Sequence, residues 1–545
     1  MSKIKRSIGT FGLTMIGLTS MVGSGWLFGS ARASQIAGPA AIFSWIIGMI
    51  IILTIAMCYA EVGTMFPESG GMVRFMQYSH GSFAGFFGGW SIWIATVACL
   101  PIEAVASVTY MSSWPWKWAQ QTTATDGSLT ISGIVIACAL LITYFLLNYW
   151  TVKLFTRVNS LITVFKIAVP FLTVIGIVIA SFHPSNLTNA TSGGFAPSGV
   201  ASVFTAVASA GIIFSFSGFQ NIFNLGGEVK NPSKTIPKAL ILSIVCTGFI
   251  YVCLQTTYIL GMTPDYVAKG WNNINFHSPF ANLLLLLNLH WFVLVLYMDA
   301  FVSPSGAGIA YSASAARMAY GIQKNGHAPA VIGSVHPKYH IPRSAMWFNL
   351  AVSFAFLIIF RGWGSLAEIV SGALVLAFLT GPICAMSLRR IGPELHRPVR
   401  LKGLSFIAPF AFIFASFTLY WLRWPLTGHL MLIIFLGLPI YFYYELKKKD
   451  SDFRRHLKAG AWLVVFLVFM LLVSSLGSKE FGGKDIIPYG LDMIVLAIGS
   501  FFFYLWGVRS AIVTTSYYQG KAVNEQETQI VDNKEINVNS RAVGK

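Results

Sequence analysis

Thr10-Phe11-Gly12-Leu13-Thr14-Met15-Ile16-Gly17-Leu18-Thr19-Ser20-Met21-Val22-Gly23-Ser24-Gly25-Trp26 is apolar enough to begin a membrane span, yet small and hydroxyl residues run through it. Hydrocarbon cannot satisfy freed backbone N–H and C=O groups, so such a helix is either packed closely among others or unwound inside the protein. Gly23-Ser24-Gly25 is the candidate for unwinding, with close packing through small residues as the alternative. A second stretch, Phe214-Ser215-Phe216-Ser217-Gly218-Phe219, interrupts another apolar run five spans later. Paired interruptions at corresponding places point to a midplane binding site between inverted repeats, and an odd repeat of five spans makes the second copy run opposite to the first.

The rest of the chain agrees with a membrane protein. Of 545 residues 55% are hydrophobic and 10% charged, against about 25% charged in soluble domains. About 14 stretches are long enough to cross a hydrocarbon core of roughly 30 Å. They fall at 8–30, 37–65, 83–112, 129–147, 158–182, 200–226, 239–261, 281–310, 344–361, 365–388, 404–422, 426–446, 459–476 and 490–510. The expected fold is an all-α polytopic bundle: spans 1–5 within 1–182, spans 6–10 within 200–390, four additional helices within 404–512, and a disordered polar tail over 513–545. The first stretch is longer than a signal-peptide core and reads as a span.

With the N-terminus in the cytoplasm, 29 of the 37 Lys and Arg lie in cytoplasmic connections and 7 on the other face. That asymmetry gives the direction of insertion, a cell-membrane protein with both termini cytoplasmic. The net charge of +18 is therefore a topology signal, spread over eight segments without a nucleic-acid motif. The six cysteines fall inside apolar stretches and read as packing residues. Asn186 and Asn189 begin glycosylation sequons in an external loop. No metal spacing and no cofactor motif occurs.

Broken helices suit a zwitterion. Half-helix N-termini offer N–H groups to a carboxylate, while unwound carbonyls suit an ammonium group. The expected substrate site is thus Gly23, Ser24, Gly25 and Trp26 from span 1 with Phe214, Ser215, Phe216, Ser217 and Gly218 from span 6. Lys166 lies nine residues beyond Arg157, roughly 13 Å along a helix, too deep to snorkel and in need of a cavity or partner. Asp299 and Glu103 are the other deep ionisable residues and its candidate partners, with Ser303 and Ser305 close along span 8. Glu61 and Glu368 lie near span ends and are expected at the interface. Trp114, Trp116 and Trp118 read as an aromatic belt.

These residues resemble the amino acid/polyamine/organocation transporter superfamily. Gly23-Ser24-Gly25 is similar to its span-1 motif. Phe214 to Phe219 with Gly227-Glu228-Val229-Lys230-Asn231-Pro232 and Ile236-Pro237 is similar to its span-6 motif and following loop. Arg317 through Asn325-Gly326 and Pro329 is similar to the loop after span 8. Asn148-Tyr149-Trp150, Asp299-Ala300, Ser303-Pro304, Arg397-Pro398, Leu401-Lys402-Gly403 and Ala497-Ile498-Gly499-Ser500 resemble its aspartate/proton symporter branch nearly end to end. The resemblance implies two inverted five-helix repeats and a secondary transporter, and places Lys166 where the span-5 lysine of proton-coupled members stands in for sodium. Gln220 departs from the acidic residue many members carry there.

The resulting expectation is a proton-coupled importer of aspartate or a similar small amino acid. From the residues alone the substrate is only a small zwitterion. An exchanger and a neutral-amino-acid/proton symporter of the same fold are the alternatives. A membrane-embedded enzyme is the reading of another class, and neither H-E-x-x-H nor G-x-S-x-G occurs to support it.

Overall fold

The computed structural model describes residues 8–67, 70–150, 152–224, 229–336, 341–448, 452–526 and 528–529. Gly227 and Glu228 and the end of the tail lie outside them. Among the described residues the fold is helical, with only isolated bridges at Ile8–Val229 and Thr123–Leu129.

The first expected span is two helices, α1 (Thr10–Met21) and α2 (Gly25–Ala37), separated where the sequence places Gly23 and Ser24. α3 (Ala41–Met65) returns across the bundle. α4 (Gly71–His80) is a buried helix within the next connection that the hydropathy pattern does not show, because Arg74, Gln77 and His80 dilute it. α5 (Ser82–Met111) is buried at every residue but Trp90 and is the central post of the molecule. α6 (Ile131–Trp150) and α7 (Val152–Ala180) follow.

The sixth expected span is α8 (Ala201–Ser209), α9 (Ile212–Ser215) and α10 (Gln220–Asn224). It is interrupted twice, with a bend of 49° after Ser209 and again between Ser215 and Gln220. The hydroxyl and glycine pattern points only to the second break. α11 (Pro232–Gly261), α12 (His290–Lys324), α13 (Arg343–Ile359), α14 (Trp363–Phe378) and α15 (Thr380–Ile391) follow. α16 (Leu404–Tyr420), α17 (Leu426–Phe435), α18 (Leu438–Lys448), α19 (Phe453–Leu476) and α20 (Leu491–Arg509) pack beside them. Among the described residues nine helical stretches are long and apolar enough to cross a membrane, or ten if the bent pair counts as one span, and four shorter apolar helices accompany them.

Three expectations need correction. Glu61 is not at a solvated interface: it is 1% exposed and its carboxylate accepts from Arg389 Nε at 2.7 Å, from Arg389 Nη2 and from the Leu401 amide, with Arg397 Nε at 3.4 Å. A buried carboxylate persists only when paired, and here two guanidinium groups on and after α15 clamp it to α3. Glu61→Gln is expected to cost about 3 kcal/mol of stability by leaving those guanidinium groups short of a counter-charge. Unfolding of the purified protein in detergent measures it, and a loss under about 1 kcal/mol would show the pair to be solvated after all.

Asn186 is fully buried, its side chain donating to the carbonyls of Ile259 and Met262 at the end of α11, so this sequon asparagine is structural. The tail is docked at least in part. Residues 515–526 are helical, Asn524 donates to the carbonyls of Met65 and His396, and the Tyr517 hydroxyl donates to Glu394. Those hydrogen bonds tie down a stretch whose composition alone reads as disordered.

Candidate functional site

The two interrupted regions meet. Gly25, the first residue of α2, packs so closely on Ser215 that a Cβ would overlap its side chain and lie 3.0 Å from its Cα. Gly218 has φ +115°, and a Cβ there would run into the carbonyl of Ser20. The Tyr251 hydroxyl from α11 lies 3.0 Å from the Met21 carbonyl and 3.1 Å from the Ser215 carbonyl, so one group bridges both breaks. Gln220 Oε1 accepts from the Gly218 amide, a neutral cap on α10 where a carboxylate is absent.

The N-terminus of α2 is engaged from α5. Glu103 Oε2 accepts from the Ser24 amide at 3.0 Å, and its other oxygen, beside Gly23, makes no hydrogen bond within the protein. A helix N-terminus attracts a carboxylate through its free N–H groups and its dipole, and Glu103 supplies one from the protein itself. Ser24 Oγ accepts from Trp363 Nε1 at 3.0 Å. The amides of Gly25 and Trp26, in the first turn of α2, have no intrahelical acceptor by helix geometry.

Lys166 is 1% exposed and donates from Nζ to the Thr19 carbonyl at 3.0 Å, in the last turn of α1. Glu103 and Asp299 are the two carboxylates whose charge acts on it. Asp299 is fully buried and neither of its oxygens makes a hydrogen bond within the protein; the indole of Trp26 approaches outside hydrogen-bond geometry. Ser303, one turn along α12, is buried with its hydroxyl also unpartnered. Buried polar atoms are normally satisfied, so this concentration around the ends of α1 and α2 marks a place built for something other than packing.

The remaining expected site residues divide. Trp26 is buried against Phe280 with ring centroids 5.6 Å apart. Phe214 meets the edge of Trp363 at 6.2 Å. Ser215 Oγ donates to the Gly211 carbonyl, and Ser217 pairs with the Tyr311 hydroxyl at 2.8 Å. Phe216 turns away, packing on Trp45 and Tyr251, and belongs to the frame of the site. Ser305 pairs with Tyr144 on α6 at 3.2 Å.

Next to Trp363, the partner of Ser24, aromatic rings pack together. Phe28 stacks on Trp363 at 4.8 Å and meets Tyr110 edge-on at 5.2 Å, while the Tyr110 hydroxyl donates to the Leu27 carbonyl. Beyond them opens a cavity of 530 Å3, lined among others by Arg32, Gln35, Asp126, His277 and Arg361. Arg32 on α2 pairs with Glu368 on α14 at 3.5 Å across its side, a partner for Glu368 that the sequence does not assign. Nor does the sequence single out Tyr110, Tyr251, Tyr311 and Trp363. Nothing in a chain of 20 Tyr and 16 Trp distinguishes these four until the breaks they face are known.

The amino acid permease family matches residues 8–432, the part of the chain that carries both broken spans with Glu103, Lys166 and Asp299. The chain belongs to that family. It is 55% identical to a glutamate/serine transporter of Bacillus subtilis over 96% of this chain and 98% of that protein. An aspartate-proton symporter of the same organism is 36% identical over 92% of this chain and 96% of its own. A branched-chain amino acid permease of that organism is 26% identical, covering 82% of this chain and 94% of its own. This permease is an amino acid transporter and a multi-pass membrane protein, not an enzyme.

Proposed function

We propose that this permease is a proton-coupled importer of small acidic amino acids, with serine as a further substrate. The observation that carries the reading is the lysine at the break: Lys166 holds the Thr19 carbonyl at the end of α1 within electrostatic reach of Glu103 and Asp299. A mobile proton in such a cluster changes the charge beside both half-helix ends. The α-carboxylate of the substrate binds at the amides of Gly25 and Trp26 with the Ser24 amide, and its ammonium group takes carbonyls near Phe214 and Ser215.

Glu103 gives the coupling a chemical form. While ionised it occupies the Ser24 amide; once protonated it no longer competes with a substrate carboxylate for the helix N-terminus. Proton and anion thus enter together. The repeats on this reading are spans 1–5 and 6–10, inverted and accompanied by four further spans. Both termini are cytoplasmic in the cell membrane, and the cavity beside Arg32 and Glu368 faces outward. The relatives named for glutamate, serine and aspartate support the substrate class.

The test is uptake of labelled aspartate, glutamate and serine into substrate-free proteoliposomes under an imposed inward proton gradient. Gradient-dependent accumulation of an acidic amino acid is expected, with unlabelled glutamate and aspartate as the strongest competitors. Flux only into vesicles preloaded with amino acid would replace symport by exchange, and competition by neutral amino acids alone would overturn the substrate class.

A further inference from the structure

A second recess lies away from the transport path, between the core and the additional helices. It measures 570 Å3 and is lined by Trp90 and Trp93 of α5, Ala319 and Ile322 of α12, Ala328 and Ile332 of the following loop, Phe348 of α13, and Ile440 and Tyr443 of α18. It opens at the protein surface beside Ile440 and Tyr443. Leu432, Leu436, Ile440 and Tyr443 form a continuous exposed stripe, 63%, 70%, 37% and 60% exposed, along the membrane span Leu426–Lys448. The recess continues that stripe inward.

Its rim is basic. Lys448 ends α18 and donates to the Asn325 carbonyl just after α12, so the ends of α18 and α12 lie together. Lys324 and Lys447 are exposed at those same ends, and Lys447 is one turn beyond Tyr443 and Tyr444. Among the described residues at these helix ends, the carboxylate beside them, Glu445, is already taken up: it accepts from His327, Lys448 and Ser82. His327 adds no charge, since burial holds its imidazole below the ordinary value and its Nε2–H is the donor to Glu445. Among the described residues, three lysines against one carboxylate leave the rim positive where α12 and α18 end.

We propose that this recess is a phospholipid site: an acyl chain lies against Trp93 and Phe348, and an anionic headgroup rests on Lys324 and Lys447. An apolar groove open to the bilayer selects a chain from the adjoining leaflet, and lysines at the end of the span select an acidic headgroup over a zwitterionic one. The volume falls in the range of specific small-molecule sites.

Native mass spectrometry of the full-length protein, titrated with phosphatidylglycerol or phosphatidylcholine, tests the site. The unmodified protein is expected to retain one phosphatidylglycerol about tenfold more tightly than phosphatidylcholine. Lys324→Gln with Lys447→Gln is expected to erase that preference, and Ala328→Phe, which fills the groove, to remove the tight adduct of either lipid. Equal retention of the two lipids by the unmodified protein, or an adduct unchanged in both variants, overturns the proposal. So does conversion of a dimer to a monomer by Ala328→Phe with the lipid count unchanged, which would make the groove an interface between copies. If Ala328→Phe lowers the melting temperature, the exposed lysine pair alone decides.

Discussion

Lys166→Met is expected to abolish gradient-driven accumulation of acidic amino acids, reducing it at least about 30-fold, while leaving the protein folded. Removing one partner from a buried charge cluster costs about 3–5 kcal/mol where the others are left uncompensated, and here Glu103 and Asp299 would be left facing each other's surroundings without a cation. The bilayer makes that state worse, so the vacated cluster is expected to hold its carboxyl groups neutral in place of the ammonium. The two half-helix ends then lose the group whose charge changes. Proteoliposome uptake against a proton gradient measures the loss, and exchange of internal for external amino acid gives the second readout. A coupling role predicts that exchange survives where accumulation fails. If both vanish together, or the melting temperature collapses, Lys166 is a structural tie to Thr19; if accumulation persists, it is not the coupling group.

The break in the first span and the second break in the sixth are legible in the sequence because glycine and serine in an apolar run have no use as lipid-facing surface; the bend after Ser209 is not. Lys166, Glu103 and Asp299 are legible for the complementary reason, that a charge in hydrocarbon must have a purpose. What the sequence withholds is pairing across the bundle. Glu61 reads as an end-of-span acid until α15 brings Arg389 and Arg397 onto it. Glu103 reads as a deep acid and candidate partner of Lys166 until α5 places its carboxylate on the Ser24 amide, the very group assigned to substrate. Periodicity describes one helix at a time, whereas these pairings join residues 79 and 328 positions apart. The aromatic cluster is hidden for another reason: Phe28 and Trp363 have the same composition signal as any core pair, and only their stack beside Ser24 ties them to the break.

The close approach of the two breaks makes Gly25→Ala a damaging substitution for the addition of a single methyl group. A methyl group at residue 25 would overlap Ser215 Oγ, lie 2.8 Å from its Cβ and reach 3.0 Å from its Cα. The hydroxyl can rotate away, but the Cα belongs to backbone already held by the Tyr251 bridge to Ser215 and Met21. α2 must therefore move off α9, and the amides of Gly25 and Trp26 move with it. Overpacking of this kind costs about 1–3 kcal/mol in an ordinary core, and misplacing a binding group by about 1 Å costs roughly 100-fold in rate. Uptake is expected to fall about 100-fold with expression and melting temperature close to those of the unmodified protein. Gly25→Ala combined with Ser215→Gly removes the overlap with Oγ and Cβ while the new methyl still crowds the backbone of residue 215, and is expected to recover part of the lost uptake, whereas Ser215→Gly alone costs little. Recovery ties the defect to the meeting of the two broken spans. Full activity of the single variant would mean that the breaks stand further apart during transport than they do here, and an equal loss in the single and double variants would place the role of Gly25 in its own backbone.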